Sequence, residues 1–197
     1  KSGTPDRMVV ECHGRRHLMQ SIRFTAEEAS QLTPKEQTKE AFRRHIQWLN
    51  EEGLTLKDNC MRTWFFVRDI DHNYQDVVEG RNEVFAVNGL TADTHFIAST
   101  GIAGNGDNGA ETVCADFWSV DDDAMEVKYL QALEYLNPTH EYGVAFERGT
   151  AFTSDGTTWA LISGTASIDK VGRCIHQGDV IRQCDRLFEN IDQLLAN

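Results

Sequence analysis

The sequence lacks the cysteine spacing that metal sites and disulfide frameworks require. Its five cysteines include no C-x-x-C pair, and an odd number cannot all pair; they are Cys12, Cys60, Cys114, Cys174 and Cys184. Neither Cys12-His13 nor Cys174-x-His176 has the second ligand pair that a zinc site needs. We therefore predict free thiols in a reducing cytoplasm, with no structural metal and no cofactor.

Long apolar runs and an excess of basic charge are also missing. No run approaches the roughly 18 apolar residues of a membrane span, and the opening KSGTPDR lacks the charged-then-apolar pattern of a secretion signal. Lys and Arg number 19 against 31 Asp and Glu, which gives a net charge of −12. Such a negative field repels phosphate backbones, so we expect neither a nucleic acid nor a membrane as partner.

A G-x-G-x-x-G pattern, the spacing of dinucleotide-binding loops, is present at Gly104, Gly106 and Gly109. A pyrophosphate site needs a strand before this motif and a helix after it. Residues 94–103 are typical of a strand, but residues 111–120 are β-branched and aromatic, which favours a second strand. We therefore predict a mobile hairpin loop over residues 103–110 that binds neither NAD nor ATP.

Hydrophobic periodicity predicts the elements around this loop. Thr33, Pro34 and Glu36 have the spacing of a capped helix start, and Gly53 supplies the stop. Together with the two strands around the glycine loop, the order is β-β-α-β-α-β-β, which predicts an α+β sheet carrying both helices on one face. The predicted segments are two strands in 8–25, a helix over 34–52, a strand over 60–70 and a helix from about 73 to 88.

The element order then begins again after a connector that is compatible with either a helix or an extended crossing. Strand-like segments 144–152 and 157–168 flank a turn at Ser154-Asp155-Gly156, and Gly178-Asp179 begins a helix with an apolar face. Because half a unit would leave a sheet edge and an apolar stripe uncovered, we expect the natural chain to continue or another part to complete it. The predicted domains are a first unit (1–120), the connector (121–141) and half of a second unit (142–197).

Three features of the sequence point to one family. The element order, WALISGTASID (159–169) and DRLFENIDQLLAN (185–197) resemble the RidA/YjgF family, also called endoribonuclease L-PSP-like or translation-initiation-inhibitor-like. A further set resembles the tandem RidA-like proteins that include the chorismatases, hydrolases that remove the enolpyruvyl group of chorismate. Its members are Gln131, Tyr135, Pro138, Tyr142-Gly143, Phe146, Arg148, SGTASI (163–168), Gly178-Asp179, Gln183 and Asn190.

This resemblance implies a RidA/YjgF-like (chorismate-mutase-like) fold, a homotrimer or pseudo-trimer, and clefts between units for a small carboxylated metabolite. In the family an arginine after the second helix grips the substrate carboxylate, but the matching position here is Ser99, followed by Thr100. The place of the family glutamate falls near Asp116. We therefore expect the first unit to be degenerate. In the second unit the resemblance assigns the cleft wall to Phe146, Arg148, Ser163, Gly164 and Thr165.

Several functions are compatible with this pattern. The first is a hydrolase or deaminase of small carboxylated metabolites, in which an exposed Arg148 supplies the cation and the Ser163-Gly164 backbone N–H groups bind an oxyanion. Alternatives are a chorismatase-like hydrolase and a non-catalytic ligand-binding or regulatory protein of the same fold. A ribonuclease is disfavoured by the net charge of −12.

Overall fold

The computed structural model describes residues 2–3, 6–139, 143–154 and 156–196. The predicted turn residue Asp155, the resemblance position Tyr142 and the terminal Asn197 lie outside these ranges. The elements are β1 (Ser2–Gly3), β2 (Arg7–Cys12), β3 (Arg15–Ile22), α1 (Ala26–Ser30), α2 (Pro34–Glu51), α3 (Leu56–Asn59), β4 (Cys60–Val67), α4 (Ile70–Val87), β5 (Ala98–Ala103), β6 (Val113–Asp121), β7 (Val127–Leu130), β8 (Gly149–Ser154), β9 (Thr157–Ile162) and α5 (Val180–Leu195).

The first part of the chain forms a six-stranded sheet in the order β1-β2-β3-β6-β4-β5. Neighbouring strands are antiparallel except β4 and β5, which are parallel and connected through α4. The run β2-β3-α2-β4-α4-β5-β6 matches the predicted β-β-α-β-α-β-β order. The short helices α1 and α3 were not predicted, because pieces of five and four residues carry little periodic signal.

Helices α2 and α4 pack side by side on one face of this sheet, as the sequence predicted. The capping box at Thr33 and Glu36 is formed, and Gly53 follows α2 with a φ of +77°. The two helices approach closely at Gly80, where an added Cβ would lie 2.8 Å from the Lys35 carbonyl oxygen. Beneath them Phe42 is fully buried among three other phenylalanine rings, which forms the centre of the main hydrophobic core.

The hairpin predicted at the glycine motif is wrong. Strands β5 and β6 are not neighbours, because β4 lies between them and pairs with both. The crossover helix α4 returns the chain parallel to β4, so residues 104–112 must then pass the end of β4 to reach its other side. The element that follows the glycines is strand β6 rather than the helix that a dinucleotide loop requires.

The glycine loop is held in place by a buried carboxylate. Glu111 is fully buried, and its oxygens accept hydrogen bonds from the backbone N–H groups of Phe24 (2.6 Å) and Asp107 (3.0 Å). A Cβ on Gly106 would lie 1.9 Å from Glu111 Oε2, and one on Gly104 would lie 2.9 Å from Phe66 Cβ. These glycines therefore make room for neighbouring side chains, which explains the motif without a ligand.

The later part of the chain forms a three-stranded antiparallel sheet in the order β7-β8-β9. Its first strand, β7, comes from the connector, so the extended alternative is the one observed there. Helix α5 begins after Asp179, whose side chain accepts a hydrogen bond from the Arg182 N–H. Several apolar side chains of α5 remain exposed, at Val180, Ile181, Phe188 and Leu195.

Candidate functional site

The two sheets are joined along the outer edge of β5. Ala98 forms a parallel bridge with Glu147, and the backbone N–H of Ser99 donates to Ser163 Oγ over 2.9 Å. The segments that carry Glu147 and Ser163 thus cover part of an otherwise open sheet edge. Strand edges supply these contacts because their backbone groups are unpaired on one side.

A cleft of about 360 Å³ opens beside this junction. Its wall includes Tyr74 from α4 and, from the later part of the chain, Asn137, Phe146, Arg148 and Gly164. Three residues predicted from the resemblance, Phe146, Arg148 and Gly164, therefore line one cleft together. The participation of Tyr74, from an element of the first unit, could not be read from the sequence, because it depends on how the two parts pack.

Arg148 is buried, which corrects the expectation of an exposed strand arginine. Only 6% of the residue is accessible. Its Nε and Nη2 donate to the Asn137 carbonyl oxygen at 3.2 and 3.0 Å, and Nη2 also lies 3.3 Å from Asn137 Oδ1. The guanidinium carbon lies 5.6 Å from the centroid of the Phe146 ring. The cleft wall thus contains a fixed, largely desolvated cation, whose attraction for an anion is stronger than at the surface.

The backbone N–H groups expected to bind an oxyanion are already engaged. The Ser163 N–H donates to the Arg148 carbonyl oxygen, and the Gly164 N–H donates to Thr100 Oγ1, both over 2.9 Å. Ser163 also donates through its hydroxyl to the Glu147 carbonyl oxygen. These groups connect the two sheets, so the expected oxyanion-binding pair is not formed, and Arg148 remains the anion-attracting group of this wall.

Ser99 faces the helix layer and contacts an arginine that the sequence analysis did not select. Its hydroxyl accepts from Thr63 Oγ1 at 2.8 Å and from Arg81 Nη1 at 3.4 Å. Arg81 is 1% exposed, and its guanidinium carbon lies 5.6 Å from the same Phe146 ring as Arg148 does. The sequence could have indicated that Arg81 is buried, because Arg81 lies on the apolar stripe of α4 between Val78 and Phe85.

Neither Asp116 nor Thr165 contacts the Arg148 side chain in the described part of the chain. Asp116 lies on β6, on the far side of β4 from Thr100, and its carboxylate forms a 3.0 Å ion pair with Arg23. Thr165 Oγ1 is buried and has no hydrogen-bond partner among the described residues. The structure therefore separates Asp116 from the cleft wall, because strand order, not spacing along the chain, decides which side chains meet.

A second recess, of about 240 Å³, shares Asn137, Phe146 and Arg148 with the cleft. Its other side contains His95, whose ring stacks on Tyr129 with the centroids 4.3 Å apart. Burial, with the nearby charges of Glu147 and Asp58, raises the pKa of Tyr129 to about 12. Tyr129 is therefore a neutral phenol that donates hydrogen bonds rather than a base.

Half-buried Glu147 completes this recess. Its Oε1 accepts a 2.8 Å hydrogen bond from the Phe96 N–H. His95, Tyr129 and Glu147 were not selected from the sequence, because they come from three separate segments with no shared motif. Within the described ranges, no group of three or more His, Cys, Asp or Glu side chains is arranged to hold a metal ion.

Comparison with known proteins gives two informative similarities and no matching family model. The chain is 28% identical over 173 residues to 3-hydroxybenzoate synthase from Streptomyces hygroscopicus, a match that covers 82% of this chain and 49% of that protein. It is also similar to a crystal structure of chorismatase, with a TM-score of 0.70 and 21% identity over 98% of this chain and 57% of the other. The chain thus spans about half the length of the curated relative.

A YjgF-family protein from Neisseria meningitidis also matches, with a TM-score of 0.42 and 20% identity over 59% of this chain and 87% of the other. The chain has the α+β, RidA/YjgF-like fold predicted from its sequence. More particularly, it has the chorismatase-like form of that fold over nearly its whole length. Among the described residues, none of the helices is long and apolar enough to cross a membrane.

Proposed function

We propose that the protein binds a small carboxylated metabolite in the cleft at Arg148 and acts on it as a hydrolase. The observation that carries this proposal is a buried arginine lining a cleft of about 360 Å³ beside the junction of the two sheets. A guanidinium in this setting attracts a carboxylate strongly, since little water screens the interaction. The names of the two relatives, chorismatase and 3-hydroxybenzoate synthase, make chorismate the first substrate to test.

The neighbouring side chains suit an anion that also has an apolar part. Phe146 offers a ring face beside the cation, and Gly164 adds no charge to the cleft wall. Tyr129, in the adjoining recess, supplies a neutral hydroxyl. The cleft therefore combines one charge with apolar and neutral polar surface, as expected of a small-metabolite site.

The assembly and the state of the first unit are part of the same proposal. We propose that the first unit is degenerate as a carboxylate site, since Ser99 stands where the family arginine is expected and is engaged within the fold. The exposed apolar residues of α5 support a trimer or pseudo-trimer in which another unit covers them. The net charge of −12 argues against a nucleic acid partner.

A non-catalytic ligand-binding protein is the second candidate. It is favoured by Ser99 itself, because the resemblance assigns the substrate-gripping arginine to that position. In this alternative Arg148 still binds the carboxylate, but no bond is broken. Product analysis separates the two candidates.

The test is calorimetric titration with chorismate and pyruvate, combined with chromatography of chorismate after incubation. Arg148→Met should weaken carboxylate binding by about 10- to 150-fold, the equivalent of one charged hydrogen bond. Arg182→Met is the matched control, because Arg182 lies on the exposed surface of α5 with 71% of its side chain accessible. Arg148→Lys keeps the positive charge but loses the two parallel N–H donors of the guanidinium, so this variant should bind the carboxylates with intermediate affinity.

The outcomes are distinct. Binding with chorismate consumption supports the hydrolase, and binding without consumption supports the second candidate. If Arg148→Met remains folded by circular dichroism and binds both acids as tightly as the unmodified protein, the cleft assignment is wrong.

A further inference from the structure

We propose that Arg62 forms a second binding position for a small carboxylate, on the face of the six-stranded sheet opposite the helices. Arg62 is 4% exposed, although it carries a guanidinium. Its Nη2 donates to Thr100 Oγ1, and its guanidinium carbon lies 4.9 Å from the centroid of the Trp64 ring. Within the described part of the chain, its Nη1 is buried and makes no hydrogen bond.

Arg62 faces away from helices α2 and α4 because successive strand residues point to opposite faces. On β4 and β5, Thr63 and Ser99 face the helix layer, where they contact each other and Arg81. Arg62 and Thr100 face the other way, toward the side on which the second sheet packs. Arg148 lines the cleft together with Tyr74 of α4, whereas Arg62 does not line it and is connected to the cleft residue Gly164 through Thr100 Oγ1.

The charge of Arg62 has no acidic counterpart in the described residues. Among the residues that the structure describes, no Asp or Glu forms an ion pair with this guanidinium, which contacts the Thr100 hydroxyl and the Trp64 ring. Burial lowers the pKa of Arg62 to about 10, so the side chain remains positively charged at neutral pH. A buried cation without an anion is costly, and such groups are nearly always paired. The missing partner is therefore an anion.

The surrounding groups indicate what kind of anion fits. Thr165 Oγ1 is a second buried polar atom without a hydrogen-bond partner among the described residues. Thr165 is next to Gly164 in the sequence. The Gly164 N–H and Arg62 Nη2 both donate to Thr100 Oγ1. A guanidinium N–H and a hydroxyl are both donors to a carboxylate oxygen. Because Arg62 is only 4% exposed, the carboxylate must be small.

The test is an NMR titration of the whole chain with sodium formate, the smallest carboxylate, against sodium chloride at equal ionic strength. The Arg62 Nε–H signal, assigned by its loss in Arg62→Lys, should shift saturably with formate and not with chloride. The Trp64 indole N–H reports affinity in every variant. Arg62→Lys should bind formate about 10- to 150-fold more weakly, whereas Arg148→Lys should leave this response unchanged.

Three results would overturn the proposal. The first is no saturable shift of any arginine Nε–H signal or of a tryptophan indole N–H in the unmodified protein, a result that needs no variant. The second is an equal response to chloride, which removes the carboxylate assignment. The third is a response lost in Arg148→Lys and retained in Arg62→Lys, since the anion would then lie in the cleft. A failure of chorismate binding leaves this test unaffected, so the two proposals fail separately.

Discussion

His45 is a buried histidine whose inability to accept a proton should destabilise the protein in mild acid. The residue is fully buried on α2, with Nδ1 2.9 Å from Gln20 Oε1 and Nε2 2.9 Å from Ser119 Oγ. Its ring stacks on Phe117 with the centroids 4.3 Å apart. Burial, with a smaller effect of the Arg7 charge, lowers the pKa of His45 from 6.5 to about 3. The folded protein therefore holds this imidazole neutral.

The sign of the pH effect follows from that lowered pKa. Above pH 6.5 the histidine is neutral in both the folded and the unfolded chain, so its contribution to stability is fully present. As the pH falls from 6.5 toward 3, the unfolded chain accepts a proton that the folded chain refuses. The free energy of unfolding should therefore fall by about 1.4 kcal/mol per pH unit in this range, which is about 2 kcal/mol at pH 5.

The assay is urea unfolding, followed by circular dichroism, at pH 7, 6 and 5. His45→Gln should be less stable at pH 7, because its hydrogen bonds and packing are imperfect, but its stability should fall less steeply with acid. His72→Gln is the control, because His72 is exposed and paired with Asp69, which raises the pKa of His72. Its contribution is present below pH 6.5 and lost above, the opposite direction. Parallel pH profiles for His45→Gln and the unmodified protein would refute this reasoning.

Three further predictions concern stability, measured by urea unfolding. Gly106→Ala should lower the free energy of unfolding by about 1.5–3 kcal/mol, because its Cβ would displace the buried Glu111 carboxylate from its hydrogen bonds. Gly109→Ala should be far milder, because its Cβ would lie 3.9 Å from Arg68 Nη1, and equal losses in the two variants would contradict this. Phe42→Ala should cost about 3–5 kcal/mol, since the ring is fully buried in the main core; a loss below 1 kcal/mol would mean that the core collapses around it. Thr33→Ala should cost about 1 kcal/mol by removing the N-cap of α2, and an unchanged midpoint would show that the cap is dispensable.

The sequence determined the elements whose signals are local. The start of α2 at the Thr33 capping box, the stop at Gly53 and the start of α5 after Asp179 were all predicted and observed. Capping, glycine stops and alternation act between residues a few positions apart, so they are readable without knowing the fold. The order of the first unit followed from them, and with it the fold.

Part of the candidate site was also predictable, through the resemblance to a family. It selected Phe146, Arg148 and Gly164, which line one cleft. Asp116 was selected on the same basis, yet it is paired with Arg23 on the other side of β4. The difference arises because a motif specifies residue types along a strand, whereas the neighbours of that strand are specified by topology.

Which strands pair and which charges are buried depended on contacts between distant parts of the chain. A hairpin of β5 and β6 was predicted because these strands are adjacent in the chain, but β4 lies between them and pairs with both. Arg148 was predicted to be exposed, and neither Arg62 nor Arg81 was selected as a site residue. All three arginines are at most 6% exposed. Strand insertion and burial depend on contacts between residues far apart in the chain, and each arginine is desolvated by such contacts rather than by its sequence neighbours.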